Sequence, residues 1–336
     1  MKKHLVLACV SLLLLTVGAA LGQTHAYLWD ATNGPRDLGT LGGGSYAYAI
    51  NDSGTVVGYY VPLDKFYAHG FIWTEATGMV DLGIPGGGDS TTASCVPTAI
   101  NSAGNVVGYA RQVDGTQVAF FWSPTGGFTT LGDFSSNAVN GNTAYAINDQ
   151  DEVTGNLLVR MRSFIYHAYL WSPNMPHPRD LGVIDGQQYS VGNGINNLGR
   201  IVGGSLSTSD YLWQPMIWSK HLGMRFLGMV EGSVYAQARA INDAGQIIGI
   251  DQTGTADLPF YTDYYTGLKF LKGLGGNATY ANAINQQGVI VGSANDTTEA
   301  TYGVMWPTPS SKPEVLPILP QGINNLGQVV GYAAAQ

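Results

Sequence analysis

Ile50-Asn51-Asp52-Ser53-Gly54-Thr55-Val56-Val57-Gly58 decides the fold, because the chain writes this phrase seven times. It restarts at Ile100, Ile195, Ile241, Ile284 and Ile323, and in degenerate form at Ile147, each copy closing on a glycine eight residues later. The steps between successive isoleucines are 50, 47, 48, 46, 43 and 39 residues. Periods of this size mark arrays whose single unit cannot bury its apolar face alone.

Working outward from the phrase, each unit carries four short strand signals. In the first they are 25–29, 36–39, 46–51 and 55–59. Asn51-Asp52-Ser53-Gly54 has Asn at the first turn position and Gly at the fourth, the pattern of a type I turn closed by a left-handed glycine. In the degenerate copy Asp151 replaces that glycine, and Asp tolerates the left-handed region better than most residues. Asn33-Gly34-Pro35, Ala76-Thr77-Gly78 and Pro124-Thr125-Gly126-Gly127 supply a second short hairpin. The remaining connections vary in length from unit to unit.

Four antiparallel strands in about 45 residues is the format of a propeller blade. The expected fold is therefore all-β, a seven-bladed β-propeller of four-stranded antiparallel blades. The small-residue strand Ala-Tyr-Ala-Ile-Asn suits the crowded axis, and the Trp strand suits the wider periphery. The chain starts on two outer strands and ends on two inner ones, so both termini are expected to complete one blade and close the ring, which removes free sheet edges.

Lys2 and Lys3 precede an apolar run from Leu5 to Val17, followed by Ala20-Leu21-Gly22. This is the pattern of a signal peptide over residues 1–22, cut before Gln23. Residues 23–336 then form one propeller domain, exported to the periplasm or the extracellular space. No later segment is apolar enough to span a membrane. Cys95 is the only cysteine beyond the signal segment, so no internal disulfide forms. The formal charge is −8, and −10 once Lys2 and Lys3 are gone, with 13 basic and 23 acidic residues. An acidic chain without a basic run argues against nucleic acid as a partner. A monomer is expected.

The units resemble the HAF repeat of extracellular proteins, named for a His-Ala-Phe start. His25-Ala26-Tyr27-Leu28-Trp29 and His167-Ala168-Tyr169-Leu170-Trp171 carry that start, with His69-Gly70-Phe71-Ile72-Trp73 and Val118-Ala119-Phe120-Phe121-Trp122 close to it. Asp37-Leu38-Gly39-Thr40-Leu41-Gly42-Gly43 is similar to the middle of the repeat, and Ala49-Ile50-Asn51 to its end. The resemblance spans the chain after the signal segment. It weakens near the C-terminus, where Thr262 replaces Trp and Glu314-Val315-Leu316-Pro317 replaces Asp-Leu-Gly. It implies export and a repeat fold, and it carries no catalytic residues.

The repeated Asn reads as a turn residue bonding its own backbone, and the repeated Trp as inter-blade core. His25, His69 and His167 sit at equivalent sites of separate units, too far apart to share a metal. Asn148-Asp149-Gln150-Asp151-Glu152 lacks the glycine and distal Glu of a calcium loop. The glycine runs lack the helix and Lys-Ser/Thr of a phosphate cradle, and no Gly-x-Ser-x-Gly elbow is present. Neither a cofactor, a metal nor a catalytic residue is assigned. The expected role is a binding module for a carbohydrate or a protein, with a hydrolase or lyase acting at the axis as the alternative. Rigid scaffolds present specificity on variable loops. The expected ligand contacts are therefore Tyr60, Lys65, Arg111, Arg160, Tyr189, Tyr211, Trp213 and Tyr235, on the face opposite the tight Asn-x-x-Gly turns.

Overall fold

The computed structural model describes residues 23–63, 67–87, 93–132, 141–160, 164–207, 211–229, 231–263 and 267–335. Residues 1–22, expected to be a signal peptide, Lys65 and the Arg160 side chain lie outside this set. Every regular element among the described residues is a strand.

The first two are β1 (Thr24–Asp30) and β2 (Gly34–Asp37). Groups of four follow. They begin with β3 (Ser45–Ile50), β4 (Val56–Tyr60), β5 (His69–Thr74) and β6 (Gly78–Gly83). Next come β7 (Ser94–Ile100), β8 (Val106–Arg111), β9 (Gln117–Ser123) and β10 (Gly127–Thr130). Then β11 (Thr143–Ile147), β12 (Val153–Arg160), β13 (Ile165–Trp171) and β14 (Arg179–Asp180) form a group, as do β15 (Gln187–Ile195), β16 (Ile201–Ser207), β17 (Trp213–Ser219) and β18 (Gly223–Phe226). The last groups are β19 (Ser233–Ile241), β20 (Ile247–Thr253), β21 (Asp257–Thr262) and β22 (Lys269–Phe270), then β23 (Gly275–Ile284), β24 (Ile290–Asp296), β25 (Thr301–Trp306) and β26 (Glu314–Leu316). The chain finishes on β27 (Leu319–Ile323) and β28 (Val329–Ala334).

Within each group the strands pair antiparallel in sequence order, and β27-β28 joins β1-β2 in one sheet with Leu28 opposite Val330. The β19–β22 and β23–β26 groups join in one eight-stranded path through a parallel bridge between Asp257 and Ala278. The small-residue strand heads every group, so β3, β7, β11, β15, β19, β23 and β27 are innermost. Each abuts the next, and β27 abuts β3. The architecture is a β-propeller of four-stranded antiparallel sheets, with the strand order that side-chain size predicts.

The repeated Asn does more than cap its turn. Its Oδ1 accepts the backbone N–H four residues on, as in Thr55, Asn105 and Arg200, at 2.9–3.0 Å in all seven copies. Its Nδ2 donates to the backbone carbonyl of the next unit's Asn. The bonds run from Asn51 to Asn101, Asn148, Asn196, Asn242, Asn285 and Asn324, and from Asn324 back to Asn51, at 3.0–3.1 Å. All seven side chains are buried. One amide thus fixes a turn and fastens that turn to its neighbour, leaving no buried donor unpaired.

The glycine that ends each phrase has a steric cause. A Cβ on Gly58, Gly108, Gly155, Gly203, Gly249, Gly292 or Gly331 would collide with a carbonyl oxygen of the innermost strand, Tyr46 O in the case of Gly58. The collision arises because every innermost strand bulges there. Ala47 pairs with Gly58 and Ala49 with Val57, so Tyr48 is left over. The same register shift leaves over Thr98, Tyr145, Asn193, Arg239, Asn282 and Gln321. Such an extra residue is freed from the ladder and re-aimed.

The core lies between the sheets. Trp73, Trp171, Trp218 and Trp306 are buried, and Thr262 is buried at the equivalent place in its unit. Leu38, Leu82, Leu131 and Leu316 plug the periphery. The Asp of Asp-Leu-Gly turns the chain, Asp37 Oδ1 accepting from Gly39 N at 2.7 Å and Asp180 Oδ1 from Gly182 N at 2.7 Å. The same carboxylates hold the histidines of the His-Ala starts. His25 Nδ1 lies 2.8 Å from Asp37, His167 Nδ1 2.9 Å from Asp180, and His69 Nδ1 3.5 Å from Asp81. The histidines therefore staple the two outer strands of their own unit. Among the described residues no cluster of metal-ligating side chains is found. Asp149 and Asp151 of the acidic run accept from Ser102, Asn101 and Asn105 of the preceding unit.

Asn196→Ala removes a donor to Asn242 O and an acceptor for Leu198 N and Arg200 N. It is expected to lower unfolding free energy by about 2–4 kcal/mol in denaturant titration, against no more than ~0.5 kcal/mol for Leu198→Ser on the exposed turn. Trp171→Ala, at a side chain only 4% exposed, is expected to cost about 3–5 kcal/mol. Gly245→Val places a β-branched residue at φ 81° and should lower the melting temperature as well. Unchanged melts for both would refute the packing described.

Burial raises the Asp180 pKa, but hydrogen bonds from His167 and Gly182 N outweigh it and leave it below 3.8. A depressed folded-state pKa gives stability that is present above 3.8 and lost as pH falls through the folded value. Asp180→Asn is therefore expected to be less stable at neutral pH and to lose less stability than the unaltered protein between pH 5 and pH 3. Parallel acid curves for the two proteins would sink this assignment.

Candidate functional site

The innermost strands enclose a shaft with chemically distinct ends. At the tight-turn end the seven isoleucines form a collar below the Asn residues, and the next residues, Asp52, Ser102, Asp149, Asn197, Asp243, Gln286 and Asn325, form a rim. Together they line a cavity of about 250 Å³. The rim is a second set of inter-unit bonds. The backbone N–H groups of Ser102, Asp149, Asn197, Asp243, Gln286 and Asn325 each donate to the side chain of the next rim residue, at 2.7–3.0 Å. Among the described residues the link from Asp52 to Ser102 is not made. The serine hydroxyl is short and is spent on Asp149. The rim carboxylates are thus engaged in holding the scaffold.

Two residues before each collar isoleucine, further along the shaft from the rim, come the seven bulge positions, whose residues change from unit to unit. The bulge residues there are two tyrosines, a threonine, three amides and an arginine. Some reach across to the next unit. Thr98 Oγ1 donates to Ala144 O at 2.9 Å, Asn193 Nδ2 to Ala238 O at 2.8 Å and Asn282 Nδ2 to Pro320 O at 2.8 Å. Tyr48 and Tyr145 are half-buried, and burial, with a smaller contribution from Tyr109 to each, pushes both hydroxyls up to about 12. Tyr59 stacks on Tyr46 with ring centroids 4.9 Å apart and meets Tyr48 edge-on at 5.5 Å, and Tyr332 meets Tyr46 edge-on at 5.1 Å. Tyr145 lies near Tyr166 and Tyr235, and Tyr235 in turn lies near Arg239. Tyrosines therefore gather along this part of the shaft, where a phenol hydroxyl can both donate and accept.

Arg239 is the one cation among the seven bulge residues. Solvent reaches its side chain, yet shaft walls surround it. Loss of water lowers its pKa, with Tyr235 and Tyr280 acting in the opposite sense. One guanidinium N–H donates to Asn282 Oδ1 at 3.3 Å. Tyr280 donates to Asp257 Oδ2, and Gln252 Nε2 donates to Asp257 Oδ1 at 2.7 Å.

The sequence-derived contacts scatter around this shaft. Tyr235 belongs to it. Tyr60 is buried, with its hydroxyl donating to Asp81 at 2.6 Å and its ring beside His69, which puts it in the periphery of its sheet. Arg111 is exposed at the end of β8. Tyr189 and Trp213 are half-buried and both pair with Leu206. Tyr211 is 68% exposed on the connection between β16 and β17, at φ 57°. Lys65 and the Arg160 side chain lie outside the described residues. The residues missed are Tyr48, Tyr145 and the tyrosines after Val-Val-Gly, Tyr59, Tyr109 and Tyr332. Their signal was variation: the repeat holds Ile, Asn and Gly constant and changes the residue two before Ile in nearly every copy.

No family model and no curated protein matches the chain. Solved structures do. The β-propeller domain of the Trilobed protease from Pyrococcus furiosus is 12% identical over 90% of this chain and 94% of its own, with a TM-score of 0.56. A putative TolB from Agrobacterium tumefaciens is 8% identical over 94% of this chain and 100% of its own, with a TM-score of 0.51. Puromycin hydrolase is 12% identical over 80% of this chain and 45% of its own, with a TM-score of 0.53. At these identities the likeness is one of fold: this chain is a β-propeller built of four-stranded antiparallel sheets.

Proposed function

We propose that residues 23–336 form one seven-bladed propeller, closed where β1 pairs with β28, and that it is an exported binding module with a carbohydrate ligand at the bulge end of the shaft. The blade number is supported by seven Asn side chains whose hydrogen bonds return from Asn324 to Asn51. Export is supported by the apolar run behind Lys2 and Lys3 and by the likeness of the units to the HAF repeat. The observation that carries the binding role is the group of half-buried tyrosines along the shaft, at and beside bulge positions whose residue changes from unit to unit. Aromatic faces stack on sugar rings, and their hydroxyls with the neighbouring amides supply hydrogen bonds. A protein ligand would call for a broader surface than a shaft offers.

A hydrolase or lyase acting at the same shaft is the second reading. It is favoured by one feature, the Asp257–Tyr280 hydrogen bond beside Arg239. Against it, hydrolysis of a glycosidic bond ordinarily needs two carboxylates flanking that bond, and the described wall offers one, engaged on both oxygens.

A glycan array run beside a hydrolase and lyase substrate panel separates the two readings. Binding without turnover is expected. Tyr48→Ala and Tyr145→Ala should each weaken the bound glycan about tenfold, consistent with loss of an aromatic contact, while Asn325→Ala on the rim should leave affinity unchanged. Equal loss from both ends of the shaft, or loss at the rim alone, would reject this site.

A further inference from the structure

We infer that the saccharide held in the shaft carries a carboxylate, as in an oligouronide, and that Arg239 is the residue that selects it. This deepens the reading of the shaft as a saccharide site and rests on it. Arg239 is the extra residue of the β19 bulge, which takes its backbone out of register between Ala238 and Ala240. A guanidinium has five N–H donors, and the described contact of Arg239 is a single bond to Asn282 Oδ1. It makes no ion pair among the described residues. Asp257, the carboxylate beside Tyr280, accepts from Tyr280 and Gln252, and among the described residues it makes no ion pair with the arginine. A cation inside the shaft, open to solvent and with spare, forked donors, matches the two oxygens of a carboxylate.

The surroundings argue for a sugar acid over other anions. Tyr235 and Tyr280 lie close to the arginine, Tyr145 lies near Tyr235, and Asn193 and Asn282 hold the bulge positions of the two flanking units. Charge along the shaft is also polarised. Asp52, Asp149 and Asp243 sit on the tight-turn rim, so an anion is repelled from that mouth and drawn to the arginine from the other. In a chain of net charge −8, this cation is placed against the overall field, which gives selectivity as well as attraction.

The test is calorimetric titration of the purified protein with tetragalacturonate, its fully methyl-esterified form, neutral galactotetraose and an aspartate-rich peptide. The free acid is expected to bind roughly ten- to hundredfold more tightly than its ester, the worth of charge-assisted hydrogen bonds. Arg239→Gln should erase that difference while leaving ester affinity in place, and Arg239→Lys should keep part of it. Equal affinity for acid and ester, with both lost in Tyr145→Ala, overturns the inference and leaves the saccharide site standing. Failure of every saccharide to bind overturns both, as does preference for the peptide. If Arg239→Gln does not fold, the comparison of acid with ester on the unaltered protein decides alone.

Discussion

The hydrogen bond from each Asn Nδ2 to the next Asn carbonyl is the constraint on which the rest depends. A four-stranded sheet of strands about five residues long has little stability by itself. Its faces must pack, and packing faces leaves their relative angle open. The Asn bond fixes that angle at the narrow end, where a small rotation moves the periphery furthest. Because the bond is buried, a misplaced unit would leave a donor and a carbonyl unpaired in a dry site, at a cost of about 1–3 kcal/mol for each. The tryptophans and leucines further out contribute more area, but area does not choose an angle.

Fixing the narrow end allows the bulge. Each innermost strand spends one residue outside the ladder, and the glycine opposite clears room for the displaced carbonyl. The scaffold positions and the free positions are therefore neighbours on the same strand. Ile, Asn and Gly recur because geometry admits few substitutes, while the residue between them answers only to the shaft. A repeat protein can in this way vary its lining without disturbing its frame. In this chain the lining is aromatic on one side and amide-rich around an arginine on the other.

Much of the frame was legible in the sequence. The Asn-x-x-Gly turns, the strand order and the pairing of the first strands with the last follow from local chemistry and from the unequal ends of the repeat. The His–Asp staples were not foreseen, because the two residues lie 12 or 13 positions apart and meet only through the β1–β2 or β13–β14 pairing. The second role of Asn was hidden for a similar reason. A side chain that satisfies its own turn gives no sign that its other end reaches 39 to 50 residues along the chain. Loop length pointed to the outer connections for function, whereas the described aromatic wall stands on the strands nearest the axis. Tyr60 shows how residue type misleads: it ends β4 just before a variable connection, yet its ring is buried between the sheets.

The pairing of β1 with β28 also sets a timetable. Residues 24–37 are made well before their partner strands, residues 319–334. For most of synthesis the opening hairpin is an orphan, with Ala26, Tyr27 and Leu28 uncovered. Contacts separated by nearly the whole chain are slow to find each other. This sheet therefore stays incomplete through most of synthesis, which exposes it to holding chaperones and proteases until β28 arrives.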